Sequence, residues 1–147
     1  MSGNNQVRLL ISLAAVCMLT VLNGCRGEQP PKCYPVRGQV KFNNQPAAEA
    51  QVVFHPVASS GDVPRPIAVC DAEGKFELNT FGGKDGAVPG EYRITVELRA
   101  PQDVGGELVR QGPNLMPPRY ADPQSSGLTF TVQPAPNEVP LIEIPNR

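Results

Sequence analysis

From Tyr34 onward the chain alternates apolar and polar residues in short runs separated by turn formers. Tyr34, Val36, Gly38, Val40 and Phe42 share one parity, with Arg37, Gln39 and Lys41 on the other. A period of two puts successive side chains on opposite faces, so Tyr34 to Phe42 predicts a half-buried strand. Asn43-Asn44-Gln45-Pro46 reads as a turn, and Asn44 is a side chain that tolerates positive φ. Ala50 to Phe54 predicts a second strand. Ile67 to Cys70 and Lys75 to Thr80 flank Asp71-Ala72-Glu73-Gly74, which suits a type I turn closed by a left-handed glycine and therefore a hairpin. Phe76 and Leu78 then face the core. The cleanest alternation follows Pro89-Gly90, where Tyr92, Ile94, Val96 and Leu98 oppose Glu91, Arg93, Thr95 and Glu97. Leu128, Phe130 and Val132 predict a sixth strand, and Leu141 to Ile144 a seventh.

Seven short strands without helical periodicity predict an all-β fold, a seven-stranded antiparallel β-sandwich. The 17 prolines, 14 glycines and absence of Trp agree with many strands joined by specific turns. Two connections exceed ordinary hairpin length: the Gly-rich Phe81 to Val88, and the Pro-, Gly- and polar-rich Arg99 to Pro118. Loops of that length are where a binding site is first expected, with a tolerated insertion as the plain alternative.

Ahead of the strands, Arg8 gives a minimal positive region and Leu9 to Leu22 an apolar run of 14 residues. A helix needs about 20 apolar residues to cross ~30 Å of hydrocarbon, so a signal segment fits better than a permanent span. Leu22-Asn23-Gly24-Cys25 reads as a lipobox, in which small Gly24 gives a peptidase access and the Cys25 thiol accepts the lipid; the alternative is an ordinary signal peptide cut nearby, with Cys25 a free thiol. The expected organisation is a signal peptide over 1–24, lipidated Cys25 with a short tether over 25–33, and a β-sandwich domain over 34–147. Because each buried methylene contributes about 0.8 kcal/mol, a multiply acylated Cys25 would hold the protein durably on a membrane, on the non-cytoplasmic side of the cell envelope.

Removing residues 1–24 leaves 123 residues (147 − 24) and takes away one charge, Arg8, so 12 basic and 14 acidic side chains give a net of −2. That balance, with no basic run, argues against a nucleic-acid partner. Once Cys17 leaves with the signal and Cys25 takes lipid, Cys33 and Cys70 remain as a candidate disulfide in an oxidising compartment. Closing that loop would contribute ~4 kcal/mol in the chain-entropy account. The alternative is two separate thiols, with Cys70 packed as a small core residue.

In order along the chain stand Val36-x-Gly38-x-Val40, Pro46, Ala50-x-Val52-x-Phe54-x-Pro56, Asp71-x-x-Gly74-x-Phe76-x-Leu78 and Pro89-Gly90-x-Tyr92-x-Ile94-x-Val96. This series resembles the carboxypeptidase regulatory-like domain, a transthyretin-like seven-stranded sandwich, over roughly residues 34 to 144. The whole chain is similar to small bacterial lipoproteins that carry one such domain, including a tail like Pro118-Arg119-Tyr120-Ala121-Asp122-Pro123 followed by Ser126-Gly127-Leu128. Where that family usually has glycine in the first turn, this chain has Asn44. The resemblance implies a noncatalytic module that assists folding, packing, adhesion or sugar contact, and the domain name does not imply a peptidase. Transthyretin-like hydrolases of 5-hydroxyisourate carry a Tyr-Arg-Gly-Ser carboxyl end that Ile144-Pro145-Asn146-Arg147 does not match.

His55 is the single histidine, and Ser59, Ser60, Ser125 and Ser126 lie in loop-like sequence without a Gly-x-Ser-x-Gly elbow. No enzyme is expected. His55, Cys33 and Cys70 lack the paired short spacing of zinc ligands, and Asp71, Glu73 and Asp85 are spaced as turn residues rather than as a calcium loop, so neither metal nor cofactor is expected. Among aromatic residues, Tyr34 and Tyr92 fall on core parity, which leaves Phe81 and Tyr120, the latter beside Arg119, as candidate binding residues. A loop anchor packed on the sandwich is the alternative for Tyr120. The expected function is a lipid-anchored, noncatalytic envelope module that contacts a protein or the envelope; a polysaccharide-binding lipoprotein is the alternative, and an envelope hydrolase stands third.

Overall fold

The computed structural model describes residues 30–58 and 64–146, and the signal peptide, the lipobox and Cys25 lie outside them. All seven anticipated strands form. They are β1 (Val36–Phe42), β3 (Gln51–Pro56), β4 (Ile67–Val69), β5 (Lys75–Glu77), β6 (Gly90–Glu97), β9 (Thr129–Val132) and β11 (Ile142–Ile144). Four further segments accompany them, β2 (Gln45–Pro46), β7 (Gln102–Val104), β8 (Glu107–Val109) and β10 (Asn137–Glu138), with a 3-10 turn at Pro118–Ala121.

β1 is the spine of the first sheet. On one edge it pairs antiparallel with β5, where Gly38 faces Phe76, and with β2, where Phe42 faces Gln45. Asn43 and Asn44 close the β1–β2 hairpin with φ of 51° and 62°, the two positive values that a two-residue type I′ turn demands. On its other edge β1 pairs in parallel with β10 and β11. The sandwich is therefore not antiparallel throughout. A parallel neighbour requires a crossover, and here the chain leaves β9 in the second sheet before it returns beside β1.

The second sheet is antiparallel, in the order β4-β3-β6-β9. Its inner parity supplies Val52, Phe54, Ala68, Tyr92, Ile94, Val96 and Val132, which meet Val36, Val40, Phe76, Ile142 and Ile144 of the first sheet in one core. Phe54 lies 5.7 Å from the Tyr92 ring and 6.3 Å from the Phe130 ring, separations at which tilted aromatic pairs attract. Two glycines are dictated by this packing. A Cβ on Gly38 would sit 2.6 Å from Cζ of Phe76, whose ring fills the space that glycine leaves. Gly74 stands at φ +73° as the sequence anticipates for the Asp71–Gly74 turn, and a Cβ there would meet the Val40 carbonyl oxygen at 2.4 Å.

The stretch from Arg99 to Pro118, expected as an irregular connection, holds the β7–β8 hairpin around Gly105-Gly106. Its base is zipped by Leu115 N–H to Leu98 O at 2.7 Å and Ala100 N–H to Pro113 O at 2.9 Å. The hairpin residues are nearly all exposed, so no alternation marks them; Gly105-Gly106 was the one local signal.

Candidate functional site

The anticipated site residues fall in separate places. Tyr120 is 6% exposed on the 3-10 turn that packs against β6. Its hydroxyl accepts from Arg119 Nη2 at 2.6 Å, and the Arg119 guanidinium lies 4.6 Å from its ring centroid. Tyr120 is thus an anchor for its loop rather than a platform for a sugar, because its ring face is covered and its hydroxyl taken. Phe81 belongs to the loop after β5 and is 44% exposed. Two N–H groups of that loop, of Thr80 and Phe81, donate to the Asp85 carboxylate at 2.7 and 3.0 Å. Burial alone would raise Asp85, but these bonds outweigh it and hold the carboxyl below its usual range.

Cys33 and Cys70 are free thiols, so the expected bridge is not formed. Cys33 sits ahead of the Tyr34–Ala87 bridge before β1, whereas Asp71, next to Cys70, bonds Lys75, the register partner of Gln39 in the middle of β1. About five residues of strand, roughly 17 Å, separate those levels, well beyond the ~7 Å between Cα atoms that a disulfide spans. Burial, with the Asp71 charge beside it, pushes the Cys70 thiol up to about 12.

His55 lies on the outer parity of β3 with Nε2 2.9 Å from Thr95 Oγ1. Desolvation, then the charge of Arg65, lowers its pKa. A catalytic base is normally oriented by a carboxylate, and the groups around His55 are a hydroxyl and a cation. Among the described residues no group of three His, Cys, Asp or Glu is placed to hold a metal ion.

Two of the concavities formed by the described residues lie on the outer faces of the sheets. One of about 540 Å³ lies over the outer face of the first sheet, and its charges answer one another: Glu77 contacts both Arg37 and Lys84 at 2.9 Å. The other, of about 410 Å³, opens where the β7–β8 hairpin overhangs the outer face of the second sheet. Register builds its floor: Gln51 pairs with Val69 on one side and Glu97 on the other, which sets those three side chains in a row across β4, β3 and β6. The hairpin adds Leu108 and Arg110 from above. Val69 is 62% exposed and Leu108 74% exposed, so the groove has an apolar centre open to water. Its rim is ionic, with Arg99 bonded to Glu97 at 2.8 Å and Arg110 paired with Glu49 and donating to Arg99 O at 3.2 Å. The sequence pointed to this loop by its length, while the partnership of Val69 and Leu108 depends on strand register and could not be read from it.

No protein-family model matches the chain, and no curated protein matches it. Among solved structures it is similar to a Pseudomonas aeruginosa protein proposed to bind carbohydrate, at 16% identity and a TM-score of 0.45, over 80% of this chain and 92% of that one. It is also similar to part of a 9R-lipoxygenase from Cyanothece, at 14% identity and a TM-score of 0.42, over 93% of this chain. The chain spans 20% of the lipoxygenase's length. At these scores neither likeness bears on what this chain binds.

Proposed function

We propose that this protein is a lipid-anchored, noncatalytic envelope module of the carboxypeptidase regulatory-like type that captures a protein partner in the groove beneath the β7–β8 hairpin. One observation carries the reading: two exposed apolar side chains, Val69 and Leu108, share one concavity whose rim is charged and internally paired. An apolar centre inside a polar rim is how protein-contact sites are built, and exposed apolar groups gathered in a concavity mark such sites. Among the described residues that line the groove, none is an aromatic on which a sugar could stack. The lipobox-like Leu22-Asn23-Gly24-Cys25 supports the anchor and the non-cytoplasmic address.

The test is photo-cross-linking of the full-length protein in intact cells, with adducts identified by mass spectrometry and Cys25→Ala as the unanchored control. A reproducible protein adduct that depends on the anchor and disappears in Leu108→Asp is expected. A charge placed on a side chain this exposed leaves folding within about 0.5 kcal/mol, so the variant's thermal midpoint should stay put. A protein adduct unchanged by Leu108→Asp would remove the groove from the account, and adducts to polysaccharide alone would favour the glycan-binding alternative.

A further inference from the structure

The end of the domain that carries the tether also carries an exposed aromatic loop. Tyr34 bridges Ala87 through two backbone bonds, Tyr34 N–H to Ala87 O at 2.9 Å and Ala87 N–H to Tyr34 O at 3.0 Å, which fixes the Phe81–Gly86 loop beside Lys32 and Cys33. The base of that loop is stiff. Asp85 accepts the Thr80 and Phe81 N–H groups, and Thr80 Oγ1 donates to Gly86 O at 2.6 Å. Phe81 is thus held out at 44% exposure by an ordered loop, with Gly82, Gly83 and Lys84 beside it at the tip.

We infer that this end is a membrane-facing surface, with Phe81 dipping into the lipid interface on which Cys25 is anchored. The inference rests on the anchoring reading above. From Cys25 to Cys33 is eight residues, at most about 26 Å of extended chain, so the Phe81 loop is held within reach of the bilayer. Tethering makes the contact intramolecular, and a weak interaction that would be negligible in free solution becomes occupied. The chemistry suits an interface: an exposed aromatic ring favours the boundary, and two cations stand at the same end, Lys32 over the Tyr34 ring and Lys84 paired with Glu77. The neighbouring acids do not oppose it, because Asp85 is turned onto its own loop and Glu77 lies between Arg37 and Lys84. The β7–β8 hairpin follows the opposite end of β6, about 26 Å away by strand rise, so this orientation presents the partner groove outward.

The chain contains no Trp, so a single Phe81→Trp substitution is a unique fluorescent reporter, and Leu108→Trp is its matched control at the far end. Each full-length variant is taken from cells in its processed form and reconstituted into phosphatidylethanolamine–phosphatidylglycerol vesicles whose acyl chains are brominated. The Phe81→Trp emission should be quenched several-fold more than that of Leu108→Trp and should shift to the blue on reconstitution. Equal quenching of the two would overturn the inference. Intact-mass analysis of the same samples separates the two ideas: lipid on Cys25 with an unquenched Phe81→Trp reporter overturns the membrane-facing surface alone, whereas no lipid on Cys25 overturns the anchoring reading and this inference with it.

Discussion

Asn44 and its neighbour Asn43 show how one residue type sustains a backbone that usually asks for glycine. Both stand at positive φ in a two-residue turn, and asparagine reaches that region at lower cost than other residues with a Cβ. The cysteines are decided at the same scale by opposite means, since nothing local distinguishes Cys33 from Cys70. Cys70 is 3% exposed with its thiol pushed up to about 12, and Cys33 is only half buried. Burial raises the Cys33 thiol as well, so access separates the two: at about pH 8, alkylation of the processed, folded protein should modify part-exposed Cys33 and spare nearly sealed Cys70. Denaturation without reductant should expose Cys70 to the same reagent. Intact mass reads both steps, and failure of both thiols to react in denaturant until reductant is added would show a bridge instead.

Among the elements, β10 is the one that a single side chain creates. Asn137 is buried, and its amide nitrogen donates to Gln133 O at 3.1 Å and Ala135 O at 2.5 Å while its carbonyl oxygen accepts from Gln133 N at 2.8 Å. Those bonds shape the turn so that Asn137 N–H reaches Pro35 O at 2.9 Å and starts the parallel pairing with β1. Asn137→Ala removes both sides of that network and leaves buried backbone groups unpaired, so it should cost about 2–3 kcal/mol of stability, measured as a lower urea midpoint at unchanged m-value. A loss below about 0.5 kcal/mol, the level of an ordinary surface change, would show that β10 pairs without it. The element scale is also where the long loop changes meaning. Met116 is 2% exposed and Asn114 Oδ1 accepts from Leu98 N and Met116 N, so the return of the Arg99–Pro118 stretch belongs to the core and only the β7–β8 tip projects.

For the whole molecule, the resolved shifts of its acids and its histidine point one way in pH. His55, Glu77 and Asp85 all titrate below their ordinary values: His55 through desolvation and then Arg65, Glu77 through Lys84 and then Arg37, and Asp85 through the loop N–H groups that outweigh its burial. A folded value below the unfolded one means that the unfolded chain binds the proton first. The stability each group contributes is complete above its unfolded pKa and is lost as pH falls through the folded one. For His55 that loss begins below about pH 6.5, and for the two carboxylates below about pH 4. The urea midpoint should fall from pH 7 to pH 5, and His55→Gln should flatten that interval while leaving the acid limb near pH 4 in place. A flat wild-type midpoint between pH 7 and pH 5 would refute the His55 assignment.

The seven strands, their inward and outward faces and the Asp71–Gly74 hairpin were determined by the sequence, because period-two alternation and turn chemistry act between neighbouring residues. Val36, Val40, Ile94 and Val96 are buried for the reason their parity announces. Tertiary structure decided what depends on residues far apart in the chain. Asn137–Glu138 becomes a strand only because β1 lies beside it, Cys33 and Cys70 remain apart because β1 sets their levels, and Tyr120 is buried because its turn folds onto β6. The groove between Val69 and Leu108 belongs with these, since two exposed apolar residues 39 positions apart (108 − 69) become one surface only when strand register and a hairpin bring them together.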